Sequence, residues 1–237
     1  MQALKHLLIV LACMMTLLSA GHAAPGSAHA TYNIMRNGLH VGVISERYEA
    51  AGGNYSIVSN TTPVGLLALS QRNHVSVVSR GDLTPAGLQP LQFDARRGKD
   101  EARRVTADFD WKTLNLKMHF DGRTEETALP RGAQDRLSAL YQFMHIPPAP
   151  KAKQVEFAMT NGRKLDHYRY SITPEVTIDT PYRRLTTIHL VKQREPNEPA
   201  TEIWLSPEHH FLPVKVLIIE EDGVRYEQLL TRLEVKP

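Results

Sequence analysis

The chain has 237 residues, of which 42% are hydrophobic and 22% are charged, with 28 Lys and Arg against 25 Asp and Glu. So small an excess of positive charge excludes the long cationic surface by which proteins bind nucleic acids. Because Cys13 is the only cysteine, a disulfide framework and cysteine-ligated metal sites are excluded as well.

The first residues have the pattern of a secretory signal peptide. Lys5 precedes an apolar run from Leu7 to Leu18, and small residues follow from Ser19 to Ala24. The run is shorter than the ~20 apolar residues that a membrane-spanning helix needs. The sequence therefore predicts an exported, periplasmic protein that does not span the membrane.

The exact start of the mature chain stays open. We predict a signal peptide at residues 1–23, but cleavage as late as residue 30 also fits the small residues there. Acylation of Cys13, as in a lipoprotein, is a further alternative. Beyond the signal peptide, residues 31–237 have the length of a single β-rich domain.

Turn signals recur at short intervals between runs of β-branched and aromatic residues. Asn-Gly and Asp-Gly are strong hairpin signals because a type I′ turn needs positive φ at both central residues. The pattern predicts a mainly β fold, a curved antiparallel sheet or partly open β-barrel of about ten to twelve strands packed on one helix. The turn signals include Asn37-Gly38, Arg80-Gly81, Asp121-Gly122, Asn161-Gly162 and Asp222-Gly223.

One strand and one helix show their periods clearly. From Leu114 to Phe120, apolar and polar residues alternate, which is typical of a strand with one hydrated face. Between Ala133 and His145, apolar residues recur at helical spacing, and Pro147-Pro148 ends the pattern. The helix is predicted to present one apolar stripe: Leu137, Leu140, Tyr141 and Met144.

The adjacent histidines His209 and His210 raise the question of a metal site. In a strand their side chains would point to opposite faces, whereas zinc needs three or four converging ligands. Ser206-Pro207 and Pro213 flank them, so we predict that they lie in the connection between two strands.

No sequence motif identifies an enzyme. Nucleophile elbows, phosphate-binding loops and dinucleotide-binding loops are absent from the sequence. We therefore predict a protein without catalytic residues, metal or cofactor. A hydrolase would instead require His167 or His189 to converge with Asp166 or Asp179.

The last predicted hairpin is apolar on both faces. Val214, Val216 and Ile218 should share one face, while Leu217 and Ile219 occupy the other. Together with the aromatic residues, this pattern has two interpretations: a packed core, or a hydrophobic cleft between sheet and helix that suits an acyl chain.

Six segments in this order and spacing resemble the exported proteobacterial family of domain of unknown function 3108. They cover nearly the whole mature chain. The resemblance implies a periplasmic protein and supplies no catalytic residues. The curved sheet with one helix is also similar in outline to the periplasmic lipoprotein carriers of the localisation-of-lipoproteins type. The six segments are "YNIMRNGLHVG", "GLQPLQF", "DFDW", "DRLSALYQF", "GRKLDHYRYSI" and "IWLSPEHHFLPVKVLIIEEDG".

Two functions follow as hypotheses. The first is a non-enzymatic binding protein that holds or shields a lipid or another apolar small molecule. The alternative is an envelope assembly or scaffold protein that binds another protein through a sheet edge or exposed loops. For the first, the expected ligand-lining or core residues are Leu137, Leu140, Tyr141, Met144, Trp204, Val216 and Ile218.

Overall fold

The structure, a computed structural model, describes residues 24–65, 68, 74–98, 100–195 and 198–237. The predicted signal peptide, with Cys13, lies outside the described residues. Within the described part of the chain, no helix is long and apolar enough to cross a membrane.

The described residues form one sheet of fifteen strands, which confirms the mainly β fold but exceeds the predicted ten to twelve strands. The described pairings are antiparallel except that between β9 and β10. The strands are β1 Ser27–Arg36, β2 Leu39–Ala51, β3 Asn54–Pro63, β4 Val75–Thr84, β5 Gly87–Arg97, β6 Val105–Asp110, β7 Asn115–Phe120, β8 Arg123–Ala128, β9 Gln134–Asp135, β10 Gln154–Thr160, β11 Leu165–Asp179, β12 Arg184–Lys192, β13 Ala200–Ser206, β14 Leu212–Ile219 and β15 Arg225–Lys236.

Chain order and sheet order together force the sheet to curl. Consecutive strands pair from β1 to β8 and from β9 to β15, and β1 also pairs with β15. The chain passes from β8, at one end of the sheet, to β9, at the other, through residues 129–133, which span at most about 20 Å. A flat sheet of this size would be about 67 Å wide at ~4.8 Å per strand. The two ends must therefore approach each other.

Some hairpin turns lack the Asn-Gly or Asp-Gly pairs by which the sequence analysis recognised turns. The number of strands was therefore predicted too low. The β4–β5 turn contains Pro85 and Ala86, and the β6–β7 turn contains Lys112 and Thr113. The predicted turn at Arg80-Gly81 is wrong, because both residues lie within β4.

Gly81 instead marks a β-bulge. The pairing of β4 with β5 shifts between Arg80 and Gly81, opposite Gln92 and Pro90. A Cβ at Gly81 would lie 2.1 Å from the backbone oxygen of Gln89, so only glycine permits this close approach.

The predicted helix is much shorter than expected. Only Ser138–Gln142 is α-helical, and we name this helix α1. Gln134 and Asp135 instead pair with β10 as a parallel strand. The Asp135 carboxylate accepts hydrogen bonds from the backbone amides of Leu137 and Ser138, so it caps a helix that can begin only after it. We call residues 133–146 the inner segment.

Three apolar clusters make up the core. The first lies between β1–β7 and the inner segment, and includes Tyr48, Ile57 and Phe93. The second includes Ala30, Tyr32, Leu185, Trp204, Val214, Leu217 and Leu230. The third joins the inner segment to β10–β14 through the buried residues Phe143, Tyr170, Leu190, Ile203, Leu205 and Val216, with partly buried Leu140, Val155, Phe157, Tyr168, Ile172, Phe211 and Ile218 around them.

Strand β14 is apolar on both faces, as predicted. Val216 and Ile218 belong to the third cluster, whereas Leu217 and Ile219 pack in the second. Val214 was assigned to the face of Val216, but it packs in the second cluster. The reason is a register shift between β13 and β14, which adds one residue to β14 at this point.

The histidine pair lies in the connection between β13 and β14, as predicted. A 3₁₀ turn spans Pro207–His209, and His210 follows with positive φ. Ser206 and His209 form a hydrogen bond of 2.9 Å between Oγ and Nδ1. The pair therefore shapes a turn between two strands.

Candidate functional site

The contact between the inner segment and the curved sheet is the candidate site. Leu137, Tyr141 and Met144 pack in the first cluster, and Phe143 packs in the third. Leu140 contacts both clusters. The segment therefore lies between two apolar walls of the same sheet.

On the side of β2, two hydrogen bonds attach the inner segment to the wall. The Tyr141 hydroxyl donates to Glu46 Oε2 at 2.9 Å, and the Tyr48 hydroxyl and His145 Nε2 are 2.7 Å apart. The rings of Tyr48 and Tyr141 stack with centroids 5.6 Å apart. Glu46 also accepts a hydrogen bond from the Ser59 hydroxyl at 2.9 Å.

A second set of contacts holds the start of α1 to β3 and β4. The Ser79 hydroxyl donates to Asp135 Oδ2 at 2.5 Å, and Tyr55 shares a 2.9 Å hydrogen bond with Ser79. Asp135 and Ser79 are fully buried. The carboxylate that caps α1 thus also joins it to the sheet.

A third set of hydrogen bonds joins the inner segment to the β4–β5 turn and to the start of β5. Gln142 accepts a hydrogen bond from the backbone amide of Leu88 at 2.7 Å and donates to the carbonyl of Ala86 at 2.9 Å. Gln134 donates to the Leu88 carbonyl at 2.9 Å. The side-chain oxygen of Gln134 is buried and has no partner among the described residues.

Two buried carboxyl groups dominate the electrostatics of this contact. Loss of hydration on burial raises the pKa of Glu46, and the hydrogen bonds from Tyr141 and Ser59 offset part of that increase. Burial also raises the pKa of Asp135, with Ser79 and two backbone amides acting in the opposite direction. Burial lowers the pKa of His145 and raises that of Tyr48 to about 12.

On the opposite side, β9 and Arg136 at the start of the inner segment are hydrogen-bonded to β10, whereas Leu140 and Phe143 meet apolar and aromatic side chains of the third cluster. Phe143 contacts Phe157 edge to face, with centroids 6.2 Å apart, and Phe157 stacks on Tyr170 at 5.8 Å. Ile203, Leu205 and Val216 complete the wall on β13 and β14. This side has the chemical character of a site for an apolar ligand.

Several pockets open on the outside of the described chain. One of about 710 Å³ is lined by residues that include Arg80, Gln92 and Asp108. Another, of about 410 Å³, lies where His145 and Ile146 meet the β2–β3 and β4–β5 turns. Between the inner segment and β10–β14, in contrast, the side chains of the third cluster pack directly on each other.

A model of a protein family of unknown function, DUF3108, matches residues 30–229. The chain belongs to the DUF3108 family.

Solved structures show the fold class of this DUF3108 chain. A beta-barrel-like protein of the domain of unknown function DUF1849, from Brucella abortus, is similar to it with a TM-score of 0.55 and 6% identity, over 90% of this chain and 99% of that chain. At such low identity the similarity concerns the fold alone. The barrel-like architecture therefore agrees with the curl that the strand order requires.

Two further structures have lower TM-scores. A protein from Bacteroides fragilis, described as exported and with a YmcC-like fold, has a TM-score of 0.39 and 12% identity, over 89% of this chain and 96% of that chain. A protein from Parabacteroides distasonis, described as a lipoprotein, has 0.37 and 10%, over 89% and 95%. No curated protein matches the chain. These structures are not described as lipoprotein carriers, so that similarity stays a prediction.

The structure of the DUF3108 chain divides the seven predicted site residues among the three clusters. Leu137, Tyr141 and Met144 lie in the first cluster. Val216 and Ile218 lie in the third, and Leu140 joins the two. Trp204 lies on the other face of β13, in the second cluster, where it stacks on His189 with centroids 4.2 Å apart. Trp204 therefore does not face the inner segment with Val216 and Ile218.

The sequence analysis missed the polar contacts of the inner segment. In β2, the buried residues Glu46 and Tyr48 face inward together, and strand alternation places them on one face with Ile44 and Ala50. In sequence, the available signal was a charged residue, Glu46, at a position of β2 that strand alternation places on the same face as the buried Tyr48. Asp135 was missed because the sequence pattern assigned it to the first turn of a helix beginning at Ala133, where a charged side chain is ordinarily exposed.

Proposed function

We propose that the protein is a non-enzymatic binding protein of the bacterial periplasm that holds or shields an apolar ligand such as a lipid chain. The observation that carries this proposal is the third cluster: an apolar face of β10–β14 that the inner segment covers mainly with Leu140 and Phe143. The signal-peptide pattern of residues 1–23 supports the periplasmic location.

The free energies involved favour such a ligand. Burial of about ten methylene groups contributes about 8 kcal/mol, and exposure of Leu140 and Phe143 costs about 3–6 kcal/mol. A longer acyl chain buries more methylene groups and increases this gain in free energy. The entropy lost when the acyl chain becomes ordered offsets part of the gain. Because the third cluster is packed in this structure, binding requires residues 138–146 of the inner segment to move away from the apolar wall, while β9 stays paired with β10.

The contacts of His189 and Asp179, two residues that a hydrolase would require to converge, and of the Ser206–His209 pair support a function without catalysis. The Ser206 hydroxyl is fully buried, and Nε2 of its partner His209 lies 2.9 Å from the guanidinium of Arg183. His189 contacts Glu202 at 2.8 Å, and Asp179 pairs with Arg184. A serine nucleophile would need an exposed hydroxyl and a histidine free to accept its proton.

Native mass spectrometry of the mature protein, purified gently from periplasm, tests the proposal. Organic extraction of the same sample identifies the ligand class. We expect a discrete added mass that extracts as a lipid. A ligand-free mass, together with no binding of added palmitate, would end the proposal.

Strand β8 favours a second candidate function, an envelope scaffold. β8 is an end strand of the sheet, and its six residues, Arg123–Ala128, are all exposed. An unpaired strand edge can accept a strand from another protein. The charged residues Arg123, Glu125 and Glu126 would select a partner of complementary charge.

A photo-reactive residue at position 125 tests this second function in living cells. The same residue at Glu221, in the turn between β14 and β15, serves as the control because it is also exposed. A scaffold should form one discrete cross-linked adduct from position 125 and none from position 221. Equal adducts from both positions, or none, would count against it.

A further inference from the structure

The inner segment is attached to the sheet asymmetrically. From Ser138 to Ile146, its hydrogen bonds to the described strands end on β2 and on the β4–β5 hairpin, at Ala86 and Leu88. Towards β10–β14, the same residues present Leu140 and Phe143 to the apolar wall of the third cluster. Residues 138–146 are therefore held by polar contacts on one side and by apolar packing on the other, whereas the start of the segment is hydrogen-bonded to β10 through β9 and Arg136.

This asymmetry decides which side opens. Moving the segment away from β2 would leave the buried carboxyl of Glu46 and the hydroxyl of Tyr141 without each other, and an unpaired buried polar group is unfavourable. Separating Phe143 from the third cluster breaks no hydrogen bond, and an inserted hydrocarbon chain replaces the lost apolar contacts.

The shape of the wall indicates the ligand class. The third cluster runs across five neighbouring strands, from β10 to β14. At ~4.8 Å between strands, this wall is about 19 Å long. Such a narrow strip of aromatic and β-branched side chains suits an extended chain better than a compact polycyclic molecule.

We propose that a single long acyl chain binds between residues 138–146 of the inner segment and the third-cluster side chains of β10–β14, while β9 stays paired with β10 and the segment stays hydrogen-bonded to β2 and to the β4–β5 hairpin. This inference rests on the proposed function and adds its site, its ligand class and the direction of opening. Residues Leu140 and Phe143 would then contact the chain from one side, and Phe157, Ile203 and Val216 from the other.

Adjacent residues of β14 offer a matched pair of variants. Val216 faces the third cluster and Leu217 faces the second, and their exposed fractions are 8% and 4%. Val216→Phe adds bulk to the proposed site, and Leu217→Phe adds bulk on the opposite face. We expect the first to weaken palmitate binding at least tenfold and the second to change it less than twofold. Equal losses in the two variants, both checked for folding by circular dichroism, would overturn the site.

Photo-labelling of the wild-type protein keeps the test decisive if Val216→Phe does not fold. The probe is palmitate with a diazirine in its chain, and mass spectrometry of peptides locates the label. We expect label on residues of the third cluster, such as Phe143, Phe157 and Ile203. Label on Tyr48, Ile57 or Phe93 would mean that the segment leaves β2 instead, which overturns the inference and preserves the proposed function.

Two remaining outcomes separate the inference from the function on which it rests. Palmitate that binds by native mass spectrometry but labels no residue of the third cluster overturns the site alone. Palmitate that neither binds nor labels overturns the proposed function, and this inference with it.

Discussion

Glu46 is the residue whose chemistry most affects how the inner segment is held. It is buried among Ser59, Tyr141 and Tyr32, and its two described hydrogen-bond partners are hydroxyl groups. Burial removes the water that would solvate the charge of this carboxyl, and this raises its pKa and favours the protonated form relative to a carboxyl in water. The contact with β2 therefore depends on pH.

Replacement of Glu46 by Gln should remove part of that pH dependence. The folded-state pKa of Glu46 is raised above its ordinary value of 4.5, so the folded protein binds the proton more tightly than the unfolded chain. Its contribution to stability is therefore fully present below about pH 4.5 and is lost as pH rises through the folded-state pKa. We expect the Gln variant to lose less stability than wild type between pH 4.5 and 7.

Urea unfolding across that pH range measures the difference. Glu49→Gln is the control because Glu49 lies on the same strand with an exposed side chain. Parallel stability curves for wild type and Glu46→Gln would contradict the role of this carboxyl. Asp135, whose pKa burial also raises, contributes a slope of the same sign that neither variant removes.

At the scale of elements, the inner segment is where sequence and structure differ most. Leu137, Tyr141 and Met144, which the apolar spacing groups on one stripe, pack in one cluster. That spacing could not show that the helix is limited to Ser138–Gln142, because the pairing of Asp135 with Thr160 of β10 is a contact between distant residues. Tertiary pairing here overrides a local helical pattern.

Leu140→Asp tests the position of the inner segment. Leu140 contacts both the first and the third cluster, so a carboxylate there would be buried without a partner. We expect loss of ligand retention or of folding, seen by native mass spectrometry and circular dichroism. Leu39→Asp is the control because Leu39 is 70% exposed. A Leu140→Asp protein that folds and keeps its ligand would refute this placement.

The β4–β5 hairpin provides a test of the bulge. Gly81→Ala would place a Cβ against the backbone oxygen of Gln89, and we expect a loss of about 2 kcal/mol or more in the free energy of unfolding. Gly38→Asn is the control, because no atom lies within 4 Å of a Cβ at Gly38 and Asn tolerates positive φ. Equal stabilities in urea would show that the bulge can relax.

At the scale of the whole molecule, the turn signals predicted an antiparallel sheet but not how its ends meet. A hairpin joins two strands that are adjacent in sequence, so turn residues such as Asn37 and Gly38 predict it. The pairing of β1 with β15 joins Ser27 to Lys236, and no local pattern records such a contact. The division of Trp204 and Val216 between faces likewise depends on the register of strands in the finished sheet.

Hydrogen exchange should show a gradient from the middle of the sheet to its ends. β1 is the eighth of the fifteen strands and is paired on both sides, whereas β8 is exposed along its whole length. Amides of β1 should exchange at least a hundredfold more slowly than those of β8, because opening the centre requires a larger part of the sheet to unfold. Similar protection of β1 and β8 in mass-spectrometric exchange would contradict this order.

The central pairing of β1 with β15 has a consequence for how the sheet would form during the proposed export. A chain that crosses a membrane from its amino end delivers β1 first and residues 225–236 last. Until β15 arrives, one edge of β1 stays unpaired, and the eight strands β1–β8 cannot join the six strands β9–β14 in one sheet. If the protein is exported as proposed, the complete sheet can therefore form only once β15 has crossed the membrane.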